Sequence, residues 1–229
     1  MRTAFHARLD AIDEDLVHMT RRVGSAMNRA TQALLEADLS LAESVISGDA
    51  AVDELASRVE EESLTLVAQQ QPVAQDLRAL LAALRISGSL ERMGDLAVHV
   101  AKAARMRYPM SAVPMELRGV VVDMGSVAQR MVEETGLALS RRDVVTASRL
   151  HAMDREMDRL HREMFNIVLS PAWSHGIETA VDVTLVSRYY ERFADHAVTI
   201  GKRVIHVVTG EPYAGGSQVY LDREPGTPE

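Results

Sequence analysis

Residues 90–98, Leu-Glu-Arg-Met-Gly-Asp-Leu-Ala-Val, return at 190–198 as Tyr-Glu-Arg-Phe-Ala-Asp-His-Ala-Val. Lys102 and Lys202 follow in step. A second shared stretch lies upstream of each: Asp-Ala-Ala-Val-Asp-Glu-Leu at 49–55 matches Asp-Arg-Glu-Met-Asp-Arg-Leu at 154–160. The offset is 100 residues for the first stretch and 105 for the second. The larger offset also pairs Met19 with Met124, Ala33-Leu34 with Ala138-Leu139, Asp38 with Asp143, and Ala42 with Ala147. The difference of five falls between the two stretches, where a surface loop absorbs insertions at least cost. A unit used twice is the economical reading.

Apolar spacing makes that unit helical. Leu9, Ile12, Leu16, Met19, Val23, Ala26, Ala30 and Ala33 alternate by three and four, as do Val181, Leu185, Tyr189, Phe193, Ala197, Ile200, Val204 and Val207. Nothing of comparable length alternates by two, so the fold class is all-α. Pro72, Pro109, Pro114 and Pro171 mark boundaries, because proline cannot continue a helix and its predecessor avoids the α region. Six helices are expected, at 4–36, 38–70, 73–107, 115–139, 142–169 and 177–209. They divide into a three-helix bundle at 1–110 and a second at 111–209. The Gly/Pro-rich stretch 210–229 shows no period and is expected to be a flexible tail, or one that docks elsewhere.

The chain has 229 residues, 47% apolar and 25% charged, with a formal net charge of −8. That is enough apolar material for a large core. Zero cysteine excludes disulfide scaffolds, thiolate metal sites and a cysteine nucleophile. No window reaches the length of apolar sequence a membrane span needs, and the N-terminus lacks the apolar core of a secretory signal. The acidic balance argues against nucleic acid as a partner. A cytoplasmic protein is therefore expected. No G-x-G-x-x-G, P-loop, G-x-S-x-G or H-E-x-x-H motif occurs, and no Glu-x-x-His of the kind di-iron bundles carry. No organic cofactor and no enzymatic activity are expected.

Four acidic pairs stand at i, i+4: Asp49/Asp53, Glu91/Asp95, Asp154/Asp158 and Glu191/Asp195. Each pair shares one helix face one turn apart, where like charges repel. A pair on one helix set beside a pair on the next makes four carboxylates, an oxygen-rich site for a hard or borderline cation. The alternative is a solvated face laced with weak ion pairs, because Glu191 and Asp195 turn away from the Phe193 stripe. Arg188 and Arg192 stand three residues before them. His161, one turn after Asp158, and His99 and His196, beside the acidic motifs, are secondary candidates for the same site. They are more simply surface imidazoles. Methionines such as Met19, Met93, Met124 and Met131 suit core filling. Trp173, after Pro171, suits a plug at the end of a bundle.

The doubled Glu-Arg-x-x-Asp-x-Ala-Val signature with its Asp-x-x-(Val/Met)-Asp-x-Leu partner closely resembles the PhoU family of phosphate-specific transport system accessory proteins, over about residues 1–210. The resemblance implies two similar three-helix bundles related by pseudo-twofold symmetry. It implies negative regulation of phosphate uptake and of the phosphate-starvation response. As partners it implies the ATPase subunit of the phosphate ABC transporter, a sensor histidine kinase and a second copy in a homodimer. Some family members hold iron or zinc clusters through such acidic pairs. Carried over by position, the ligand sets are Asp49/Asp53 with Glu91/Asp95, and Asp154/Asp158 with Glu191/Asp195. Family members often carry His after the motif Asp and Asn three residues further on; here those places hold Leu96 and His99 in the first half and His196 and Thr199 in the second, and Gly88 stands where the second half has Arg188. Two rivals remain: a metal-dependent ferritin-like bundle, and a phosphotransfer module with His18 or His99 as acceptor.

Overall fold

In a computed structural model, residues 2–211 are described. Seven helices run in order: α1 (Arg2–Glu36), α2 (Leu39–Gly48), α3 (Ala50–Gln70), α4 (Ala74–Arg107), α5 (Arg118–Arg141), α6 (Val144–Val168) and α7 (Gly176–Thr209). A short 3-10 turn, Met115–Leu117, leads into α5. Among the described residues there is no strand, and no helix is long and apolar enough to cross a membrane. The expected tail, 210–229, lies outside the described residues from 212 onward.

The repeat is visible in the turns. After α1 the chain passes through Ala37 at φ 53°, and after α5 through Arg142 at φ 50°. The next residue is an aspartate each time. Asp38 accepts a hydrogen bond from the Leu41 amide, and Asp143 accepts one from the Val145 amide, both at 2.9 Å. Such caps satisfy amides that a helix start otherwise leaves unpaired.

One expectation fails here. The helix predicted over 38–70 is two helices, broken at Asp49, while its counterpart α6 runs unbroken through Asp154. Gly48 stands where the second half has Met153, and glycine is among the poorest residues in a helix interior. Asp49 keeps helical angles, φ −64° and ψ −37°, so the chain bends without turning away.

Each half is a three-helix bundle, with α2 and α3 together serving as one helix in the first. The halves meet along two pairings, α1 on α5 and α4 on α7. Apolar residues of both halves form one cluster: Leu16, Met19 and Val23 join Met93 and Ala97, Met124 and Met131, and Phe193 and Ile200. Each fully buried Leu or Met contributes roughly 1.5–3 kcal/mol.

Close approach of α1 and α5 depends on glycine. A Cβ on Gly125 would stand 2.7 Å from Thr31 Cγ2, one on Gly24 2.7 Å from Val132 Cγ1, and one on Gly136 3.0 Å from Thr20 Oγ1. Partners rise in α1 as they fall in α5, so the helices are antiparallel. In the 105 offset Thr20 is the counterpart of Gly125 and Thr31 of Gly136, so the two Thr–Gly contacts exchange under the pseudo-twofold axis. The Thr31 hydroxyl donates to the Met27 carbonyl at 2.8 Å and lies 2.6 Å from the Tyr190 hydroxyl of α7. With its proton so engaged, Thr31 accepts from Tyr190. Complete burial pushes the Tyr190 phenol pKa well above its ordinary value.

Candidate functional site

Packing of α3 on α4, and of α6 on α7, sets the acidic pairs of each half near enough to act on one another. In the first half Asp49 and Asp53 face Glu91 and Asp95. The Asp49 carboxyl is raised above its usual range by burial first, then by Asp53, Asp95 and Glu91, with Lys102 opposing them. Gly94 makes room for it: a Cβ there would meet Asp49 Oδ1 at 3.0 Å. In the second half Asp154 is raised to about 6, by burial first and then by Asp158, Asp195 and Glu191, with Lys202 opposing. Glu191 is raised as well, by burial and then by Asp195, against the pull of Arg188.

The solvated-face reading describes part of each quartet, since Asp53 and Asp195 are exposed while the other six carboxylates are partly covered. The Glu191 side chain is only 15% exposed, and Asp49 and Asp154 lie half-buried in the seams between helices. Single-helix geometry set these carboxylates opposite the core, but the neighbouring helix covers that side. Among the described residues, no three acidic or imidazole side chains stand around one point as a bound metal ion would hold them.

The two quartets carry different counter-charges. In the first, Arg92 pairs with Asp95 at 3.0 Å, and a cleft of about 530 Å³ opens between α3 and α4, lined by Asp53, Glu60, Gly88, Glu91 and Asp95. In the second, Arg188 reaches Glu191 directly. Arg188 occupies the position of Gly88, so the counter-charge in the second half has no equivalent in the first.

His161 and His196 stand beside the second quartet, within reach of the charges of Asp158 and Asp195, but no histidine completes a three-ligand cluster among the described residues. His161 Nδ1 is 2.6 Å from Ser187 Oγ, and its ring stands edge-on to Phe165. Burial, followed by Arg188, lowers its pKa. His196 is lowered by burial, then by Arg192. His99 stacks on Tyr189 with ring centroids 5.1 Å apart, and His18 accepts from Arg22 Nε at 3.3 Å. Trp173 packs on the core edge and donates to the Gly176 carbonyl at 2.9 Å.

The quartets offer the oxygen donors a hard cation takes, without converging on one point among the described residues. Partly desolvated carboxylates that raise one another's pKa would be relieved by positive charge, and oxygen is the ligand such ions take. Sequence reasoning missed the arginine–acid network joining α4 to α7. Arg107 holds Glu178 at 2.8 Å and the nearly buried Asp182 at 2.5 Å. No local spacing announces a contact between residues so far apart in the chain.

Comparison with known proteins agrees with this architecture. The family model described as "PhoU domain" matches residues 16–104 and 121–204, one match in each half. A phosphate-specific transport system accessory protein, PhoU homolog 2 of Mycobacterium tuberculosis, is 47% identical over 210 residues, covering 92% of this chain and 99% of its own. PhoU homolog 1 of Mycobacterium leprae is 45% identical, covering 92% and 95%. The crystal structure of PhoU from Pseudomonas aeruginosa superposes with a TM-score of 0.80 at 29% identity, covering 90% of this chain and 100% of that one. That of PhoU from Streptococcus pneumoniae superposes with a TM-score of 0.82 at 22% identity, a likeness of fold. With the domain matched twice and close relatives aligned over nine-tenths of its length, the chain belongs to the PhoU family.

Proposed function

We propose that this protein is a cytoplasmic negative regulator of phosphate uptake and of the phosphate-starvation response. It acts as a dimeric adaptor between the ATPase subunit of a phosphate ABC transporter and a sensor histidine kinase. The observation that carries this reading is the match, over nearly their full length, to relatives named accessory proteins of phosphate-specific transport. An adaptor regulates by binding one partner state better than another. The acidic quartets are the surfaces that meet those partners. Asp49, Asp53, Glu91 and Asp95, and separately Asp154, Asp158, Glu191 and Asp195, would hold divalent, iron or zinc ions. A bound cation supplies neutralising charge there, changing what the surface attracts. The ferritin-like alternative lacks comparable support.

The test is deletion of the gene with complementation by wild-type protein or a Glu91→Lys/Asp95→Lys variant. Phosphate uptake and a starvation-gene reporter are followed in phosphate-rich medium. Deletion raises both, wild type restores repression, and the charge reversal does not; repression by the reversed variant removes the quartet from the mechanism. Elemental analysis of purified protein beside a variant with all eight carboxylates neutralised decides the metal separately. Metal present in wild type and lost from a folded variant supports the ligand sets, and metal retained by the variant refutes them.

A further inference from the structure

At the end of the molecule where α4 begins and α7 finishes, a surface groove of about 290 Å³ is lined by Leu77, Arg78, Leu81, Arg85, Arg203 and His206. With Ala74 and Ala82 they make eight lining residues, three of them arginines in a chain of net charge −8, and no acidic side chain lines the groove. None of the four basic side chains makes an ion pair or a side-chain hydrogen bond among the described residues. Arg78 Nε and His206 Nδ1 are buried and without a partner. A buried polar atom left unpaired costs free energy, so the groove is chemically incomplete.

The pseudo-symmetric position shows what completion looks like. In the 100 offset Arg78 corresponds to Glu178 and Ala82 to Asp182, the two acids that hold Arg107 at the other end of the α4–α7 pair. Arg85, Arg203 and His206 correspond to Leu185, Ala103 and Met106. At this end the acids that hold Arg107 at the other end have no counterpart, and no acid lines the groove.

The chain carries such a segment beside the groove. Gly210 closes α7 with φ 80°, and its Cβ position lies 3.2 Å from Arg78 Nη1, so the chain leaves α7 against the groove. Residues 212–229 follow, with Val219, Tyr220 and Leu221 next to Asp222, Arg223 and Glu224; Asp222 and Glu224, two apart, flank the single cation of the segment. From Gly210 back to Arg203 along α7 is about 10 Å at 1.5 Å per residue. The residues from 211 to 218 can span roughly 25 Å at full extension, and Gly215-Gly216 suits a reversal.

We propose that residues 218–224 of this chain dock in the groove, Val219, Tyr220 and Leu221 against Leu77 and Leu81, and Asp222 and Glu224 toward Arg78, Arg85 and Arg203. The surface of α4 and α7 at this end is then covered by the chain itself, and any partner that binds there must displace it.

Zero native cysteine makes the test clean. In the full chain, Leu81→Cys/Leu221→Cys is oxidised under mild conditions beside Val145→Cys/Leu221→Cys, which offers an exposed thiol on α6 near the same end of α7. Docking raises the effective concentration at position 81, so the first pair loses its thiols at least about tenfold faster than the second. Adding Arg85→Glu/Arg203→Glu brings its rate down to the control. Equal rates, indifference to charge reversal, or a product of two-chain mass each overturn the proposal. A cysteine-free check is hydrogen exchange over residues 74–85 in wild type and in Tyr220→Ala/Leu221→Ala/Asp222→Lys. Exchange quickens in the variant if the segment docks, and unchanged exchange overturns it.

Discussion

A methyl group added at Gly201 has nowhere to go: its Cβ would sit 2.8 Å from the carbonyl oxygen of Ala147 and 2.9 Å from Leu150 Cδ1. Helix backbone cannot step aside as a side chain can, so Gly201→Ala forces α6 and α7 apart. It is expected to lose about 1–3 kcal/mol in urea denaturation. Gly88→Ala meets nothing within 4 Å in the middle of α4, and should gain about 0.5–1 kcal/mol from helix propensity alone. Asp154 makes a pH signature. Its carboxyl binds a proton more tightly folded, at about 6, than unfolded, at 3.8. The stability it contributes is therefore present below pH 3.8 and lost as pH rises through about 6. For a half-exposed group the effect is about 1–2 kcal/mol after screening. In chelator-treated protein, Asp154→Asn should flatten the wild-type decline over that range and be the more stable at pH 7. The acidic spacing alone placed each carboxylate pair correctly on one face. The partial burial of Asp49, Asp154 and Glu191 was illegible because periodicity measured along one helix is blind to the helix that covers it. His161 stands near Asp158 as its spacing implies, and only packing reveals Ser187 as its hydrogen-bond partner.

Helix boundaries were legible wherever proline, or an aspartate with its cap, stands at the seam. The break at Asp49 was not, because the shared pattern suggested a helix as continuous as α6, and a single glycine in place of Met153 decided otherwise. Contacts between helices left weaker traces still. Arg107 spans from the end of α4 to the start of α7, where the Asp182 side chain is 10% exposed. Arg107→Ala would strand that carboxylate, at a cost of about 2–3 kcal/mol. Arg107→Ala/Asp182→Ala should recover part of the loss, and a double-mutant cycle on thermal unfolding measures the coupling.

Repetition in the sequence announced two bundles but not how firmly they are joined. One apolar cluster runs through both, and the Tyr190 hydroxyl reaches across to Thr31. The chain should therefore unfold in a single transition, with far-UV circular dichroism and Trp173 fluorescence coincident. Tyr190→Phe should lower the unfolding free energy by about 1 kcal/mol, the net worth of one hydrogen bond, without splitting the transition. Separate transitions for the two probes would show instead that the bundles melt independently. The Thr–Gly contacts between α1 and α5 carry a last consequence, for traffic between molecules. Two first halves meeting in the same way would set Thr31 against Thr20, side chain on side chain. Two second halves would set Gly125 against Gly136 and leave a gap. Only a first half with a second half fits, so each bundle recognises its complement and rejects its own likeness.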